Sequence, residues 1–165
     1  RSIDIKPMRG YVTKAKAKHV MQIAQNIREA DRIEIEATHS EDTSILQALF
    51  RSYRISTHCW TGILEDDKKP VIIFGVAPIS VVGQEGAPWL VGTDRVKDCR
   101  RQFMQECKGY LDSMQAAYPQ ELHNFVDVRN DISIRWLKWL GFEFDEEVQY
   151  GRNGEPFYPF TRRAA

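Results

Sequence analysis

The chain has 165 residues, 42% apolar and 28% charged, with 23 Lys and Arg against 23 Asp and Glu. That length suits one domain with a sizeable core, and residues 1–165 are expected to form it. A formal net charge of zero argues against bulk electrostatic binding to nucleic acid or an anionic membrane, while leaving room for a local basic patch. No apolar run approaches the roughly 20 residues of a membrane span, and no leader-like segment opens the chain. The three cysteines, Cys59, Cys99 and Cys107, form no CxxC pair, which predicts free thiols and a reducing compartment. The four histidines are scattered without zinc-ligand spacing, so no structural metal is expected.

In chain order, Ile3 and Ile5 alternate with Asp4 and Lys6, predicting a short strand that Pro7 ends. From Thr13, the spacing of Val20, Ile23, Ala24 and Ile27 predicts a helix reaching about Ala30. Arg32–Glu36 (RIEIE) alternates like a strand but lies among strong helix formers, and both states stay open. Thr43 is expected to cap a second helix with Ile45, Leu46, Leu49, Phe50 and Tyr53 on its buried stripe.

Three strands are expected next. Thr57–Leu64 is rich in β-formers, Glu65–Lys69 (EDDKK) is a solvated turn, and Pro70–Ala77 is apolar enough for a strand buried on both faces. Ile79–Val82 can continue that strand past Pro78. Gly83–Gly86 is expected as a loop before a strand at Pro88–Gly92. Short turns imply an antiparallel meander. Val96, Cys99, Phe103, Cys107, Tyr110, Leu111 and Met114 then mark one face of a long helix, about Val96 to Ala117, ended by Pro119. Leu122–Val128 is expected as a strand. Asn130 or Asp131 caps a helix that Gly141 closes. Phe142–Tyr150 and Pro156–Phe160 are expected as a final strand pair joined through Gly151–Gly154. The strand–long helix–strand unit requires one parallel pair. The expected architecture is thus mixed α/β (α+β), a mostly antiparallel central sheet with one parallel strand pair and helices on both faces.

The stretch Val128–Phe142 (VRNDISIRWLKWLGF), with Asn at the helix start and Leu140-Gly141-Phe142 at its end, resembles the second conserved block of the GNAT family of N-acyltransferases. The element order resembles that family along nearly the whole chain. The resemblance implies that the strands flanking the long helix diverge and that acetyl-CoA lies in the opening. Pantetheine would pair with the backbone around Val91, Gly92 and Thr93. Pyrophosphate would sit at the long helix's start among Arg95, Lys97, Arg100 and Arg101. Helix N-termini favour such anions. Asn130 matches the family Asn that contacts the pantetheine arm, and an N-cap role is compatible with it.

Five segments, READRIEIEA, VIIFGVAPIS, APWLVGTDRV, VDVRNDISIRWLKWLGF and YGRNGEPFYPF, resemble a narrower group, the acetyltransferase-like or internal virion proteins of tailed, podovirus-type bacteriophages. That resemblance implies partners in the virion or the bacterial host, and a location in the infected cell's cytoplasm or the particle. Kinship does not fix activity.

Two departures from the enzyme pattern stand out. In the usual phosphate loop, small residues let backbone N–H groups close on the diphosphate. Aligned on Arg95, the loop is Arg95-Val96-Lys97-Asp98-Cys99-Arg100, with Asp98 and Arg100 where small residues are expected. The usual general acid, a Tyr four residues before the glycine, is Leu137. Glu85, on the loop entering Pro88–Gly92, is the carboxylate best placed in sequence to serve as a base. Two functions follow: an acyl-CoA-dependent N-acyltransferase, or a non-catalytic virion or assembly protein whose aromatic segment GEPFYPF either meets a partner or closes the sheet edge.

Overall fold

The computed structural model describes residues 9–165. The strand expected at Ile3–Ile5 lies outside them. Among the described residues, eight strands form one sheet in the order β1-β2-β3-β4-β5-β8-β6, with β7 also on β8. They are β1 (Gly10–Lys14), β2 (His58–Leu64), β3 (Pro70–Ser80), β4 (Glu85–Gly92), β5 (Glu121–Asp127), β6 (Glu143–Phe144), β7 (Val148–Gln149) and β8 (Pro156–Arg162). The helices are α1 (Ala17–Gln25), α2 (Glu29–Thr38), α3 (Ile45–Ile55), α4 (Arg100–Ala117) and α5 (Asp131–Trp139). Every described strand pairing is antiparallel except β4 with β5, as expected.

β3 is the centre. Its residues alternate between faces, as strand geometry requires. Ile72, Phe74 and Val76 join a core with Phe103, Cys107, Leu111 and Met114 of α4 and Trp136 of α5. Ile73 joins a second core with Val20 and Ile23 of α1 and Leu49 of α3. The helices therefore cover both faces. All three cysteines are free, and Cys99 and Cys107 are buried.

Several local expectations change. Thr13 belongs to β1, and α1 starts only at Ala17. RIEIE is helical, because Arg32 pairs with Glu29 and Glu36, partners at three- and four-residue spacing on one helix side. Ser44, not Thr43, caps α3 and forms a capping box with Gln47. β3 continues through Pro78 to Ser80, leaving Val81–Gln84 as the turn. Glu85 and Gly86 open β4, because they pair with Glu121 and Leu122 of β5. The long helix breaks at Cys99 into a 3-10 helix, Asp94–Asp98, and α4. Phe142–Tyr150 yields only the two-residue strands β6 and β7, separated by Asp145–Glu147 and both on β8.

Candidate functional site

The parallel pairing of β4 with β5 lasts only for Glu85–Glu121 and Gly86–Leu122. Beyond it the strands part, and the Asn124 side-chain amide reaches across to the Pro88 carbonyl at 2.9 Å. Pro88 has no N–H to offer the gap, so its carbonyl alone needs a partner there. A cavity of about 390 Å³ occupies the opening. Residues from both sheet faces line it: Leu49, Trp89 and Ile35 on one, Tyr110, Trp136 and Leu137 on the other. It thus passes through the sheet.

The register fixes which backbone groups face the gap. Thr93 donates its N–H to the Val71 carbonyl at 2.9 Å, so alternate β4 residues, Gly92 and Leu90, turn theirs away from β3. Gly92 N–H donates to Asp31 Oδ2 at 2.8 Å, and the Gly92 carbonyl accepts from Arg28 N–H at 2.8 Å. Ile27 bridges Thr93. The segment between α1 and α2 thereby extends the β4 edge. Asp31, 3% exposed, is held in turn by the Arg28 guanidinium at 2.7 Å. On the opposite wall, Asp127 N–H donates to Glu34 Oε1 at 3.0 Å, as does the Asn130 side-chain amide, also at 3.0 Å.

Glu34 is the unusual ionisable group in this opening. Burial pushes its carboxyl up to about 7, opposed by the hydrogen bonds from Asn130 and Asp127 and reinforced by the nearby Asp31 and Asp127 carboxylates. Asp127 moves the other way, held below the usual carboxylate range by its hydrogen bonds from Arg129. Burial raises the Tyr110 phenol, whose ring lies beside Trp60 and Phe74 in the cavity wall.

Of the residues proposed from sequence, Val91, Gly92 and Thr93 lie at the open end of the gap and are buried. Asn130 lies on the opposite wall, 4% exposed. It caps α5, its Oδ1 accepting from Ser133 N–H at 3.4 Å, while its amide serves Glu34. Arg95 binds Asp67 of the β2–β3 turn at 2.5 Å. Lys97, Arg100 and Arg101 are exposed around the start of α4. The backbone there is wound into the 3-10 helix, with Val96 N–H bonded to the Thr93 carbonyl and Cys99 N–H to that of Val96. Glu85 lies at the closed end of the pairing, beside Glu121, the full length of β4 from Gly92. The structure therefore does not bring Glu85 to the opening. Leu137 does line the cavity. Glu34 is not legible in sequence because RIEIE fits both strand and helix, and Asp31 falls just before that stretch, between the expected elements. The usable signal was two carboxylates three apart on a helix otherwise laced with exposed ion pairs.

Among the described residues no group of three or more His, Cys, Asp or Glu could hold a metal ion, and no helix is long and apolar enough to cross a membrane.

Comparison with known proteins places this geometry. A family model described as "Bacteriophage T7, probable scaffold protein Gp13" matches residues 70–149, just under half of the chain. No curated protein sequence matches significantly. Among solved structures, Ard1 from Thermoplasma volcanium superposes with a TM-score of 0.70 at 14% identity, covering 94% of this chain and 98% of that one. Ribosomal-protein-S5-alanine acetyltransferase from Vibrio fischeri gives 0.67 at 12%, covering 98% and 97%. Spermidine N-acetyltransferase from Vibrio cholerae, solved with CoA and spermine, gives 0.66 at 10%, covering 93% and 94%. The fold is that of the GNAT acetyltransferases.

Proposed function

We propose that this chain is a bacteriophage assembly or internal virion protein that uses an acetyltransferase fold as a scaffold, without acyl transfer. One observation carries this reading: groups that would grip acyl-CoA are engaged by the chain itself. Gly92 is bonded through both N–H and carbonyl to α2 and its cap. Asn130 divides its side chain between Glu34 and the α5 backbone. The phosphate-loop segment closes its own N–H groups in a 3-10 helix, with the bulky Asp98 and Arg100 at its end. These engagements count against a grip on the diphosphate and pantetheine of acetyl-CoA and so support the non-catalytic reading. The match to a phage scaffold family over residues 70–149 supports the same assignment. Partners would be virion or host bacterial proteins, met in the infected cell's cytoplasm or the particle. The aromatic tail closes the sheet instead of meeting a partner, since Phe157 and Phe160 are in the core. The β3–β4 turn suits one better, with Val81 76% and Val82 98% exposed.

A second reading, an acetyl-CoA-dependent N-acyltransferase, is favoured by the through-sheet cavity and by Glu34, which titrates where a general base is most useful. Calorimetric titration with acetyl-CoA separates the two. The assembly reading expects no heat and no thermal shift at millimolar ligand. Saturable micromolar binding that Arg95→Glu abolishes would replace it with the enzyme reading.

A further inference from the structure

α2 sits on the molecule in an unusual way. Its buried residues are only Asp31 and Ala37, so polar bonds rather than an apolar stripe hold much of it down. At its N-terminal end, Arg28 and Asp31 clasp Gly92 of β4, and Arg28 also reaches Ser133 of α5 at 3.2 Å. One turn on, Glu34 clasps the Asp127 backbone of β5 and the Asn130 cap of α5. At its C-terminal end, the Ala37 carbonyl accepts from Arg152 N–H at 2.6 Å. Asp31, Glu34, Ile35 and Thr38 all line the cavity. A helix that forms part of a cavity's lining and is fastened to both parted strands by two carboxylates is built as a lid would be.

We propose that α2 is a pH-governed lid over the β4–β5 opening, in which loss of the Glu34 proton loosens the helix from the β5–α5 corner while the Asp31–Gly92 clasp serves as its pivot. The charged groups around Glu34 set the direction. Asp31 on α2 and Asp127 on β5 repel its anion. Arg28 and Arg129 could offset that repulsion, but each is paired, with Asp31 and Asp127 respectively. α5 presents the neutral Asn130 amide to Glu34, and β4 presents the uncharged Gly92. The other titratable side chains lining the same cavity are His39 just past the end of α2, Cys107 and Tyr110 on α4, and Tyr150 after β7. Burial raises Cys107 to about 12, so it stays neutral near pH 7.

With the lid closed, Glu34 keeps its proton to about 7, whereas a released, solvated Glu34 would return to its ordinary value of 4.5. Opening is thus linked to proton release. It becomes easier as pH rises from about 4.5 to about 7, then levels off. Glu34→Gln keeps an acceptor oxygen for Asp127 N–H and Asn130 but has no proton to lose.

The test is amide hydrogen exchange of the full chain between pH 5 and pH 8, corrected for the intrinsic rates. The Asp127 N–H and the second half of α2 should lose protection by roughly tenfold or more, within the limit of about one decade per pH unit that linkage to one proton allows. Gly92 N–H should hold its protection, and Glu34→Gln should show no such change. An unchanged Asp127 N–H in the wild-type chain, or an equal loss in Glu34→Gln, overturns the proposal. The carboxyl carbon shift of Glu34, followed by NMR in the wild-type chain, gives a check that needs no variant. A midpoint near 7 agrees with the lid, and one near 4.5 overturns it.

Discussion

Glu34 and Asp127 face each other through one hydrogen bond, yet their titrations affect stability in opposite directions. The folded value of Glu34 lies above its ordinary 4.5, so the native chain keeps a proton that the unfolded chain releases. Its contribution is fully present below about pH 4.5 and is lost as pH rises through about 7. Asp127 is depressed by Arg129, so its contribution is present above its ordinary 3.8 and is lost in acid. Glu34→Gln should therefore stabilise the protein at pH 8 by about 1–3 kcal/mol and leave it nearly unchanged at pH 4, as read by urea denaturation. Gly62 makes a packing demand instead. A Cβ there would lie 2.4 Å from the Phe103 ring and 2.6 Å from Ile72. Gly62→Ala should cost about 1–3 kcal/mol, because both neighbours are buried in the core and have little room to move. A lowered thermal midpoint is the measurement.

At the scale of elements, ends and turns matter most. α3 is closed at its start by the Ser44 capping box, so Ser44→Ala should destabilise by about 1 kcal/mol in equilibrium denaturation. The β3–β4 turn makes the opposite prediction. Val81 and Val82 bury almost nothing, so Val81→Asp with Val82→Asp should leave the thermal midpoint unchanged. Under the assembly reading, the same pair should reduce incorporation into particles, as measured by quantifying the protein in purified virions. Elements with periodic apolar faces were legible from sequence. α3 and α4 followed their stripes, and β3 followed its apolar run. RIEIE was not, because its alternation fits a strand while its ion pairs at three- and four-residue spacing fit a helix. β6 and β7 are short because Asp145, Glu146 and Glu147 stand between them exposed to water, without an apolar face to bury.

Across the whole molecule, β3 joins the two cores, giving Phe74 to one and Ile73 to the other. Unfolding should be a single transition, with circular dichroism and tryptophan fluorescence giving the same midpoint. Sequence alone determined the class of architecture, with the parallel pair flanking α4 and helices on both faces, because periodicity and turn chemistry are local properties of the chain; it did not reveal β1 or settle α2 as a helix. The family resemblance, rather than any local pattern, singled out Val91–Thr93 and Asn130, which the fold sets on the two sides of the gap. Only the tertiary structure decided what fills that gap. The backbone groups of the parted strands must find hydrogen-bond partners, and these come from far away in the chain: Asp31 for Gly92, 61 residues apart, and Glu34 for Asp127, 93 apart. No local pattern encodes such a pairing, and Glu85, the carboxylate nearest in sequence, stands at the wrong end of its strand.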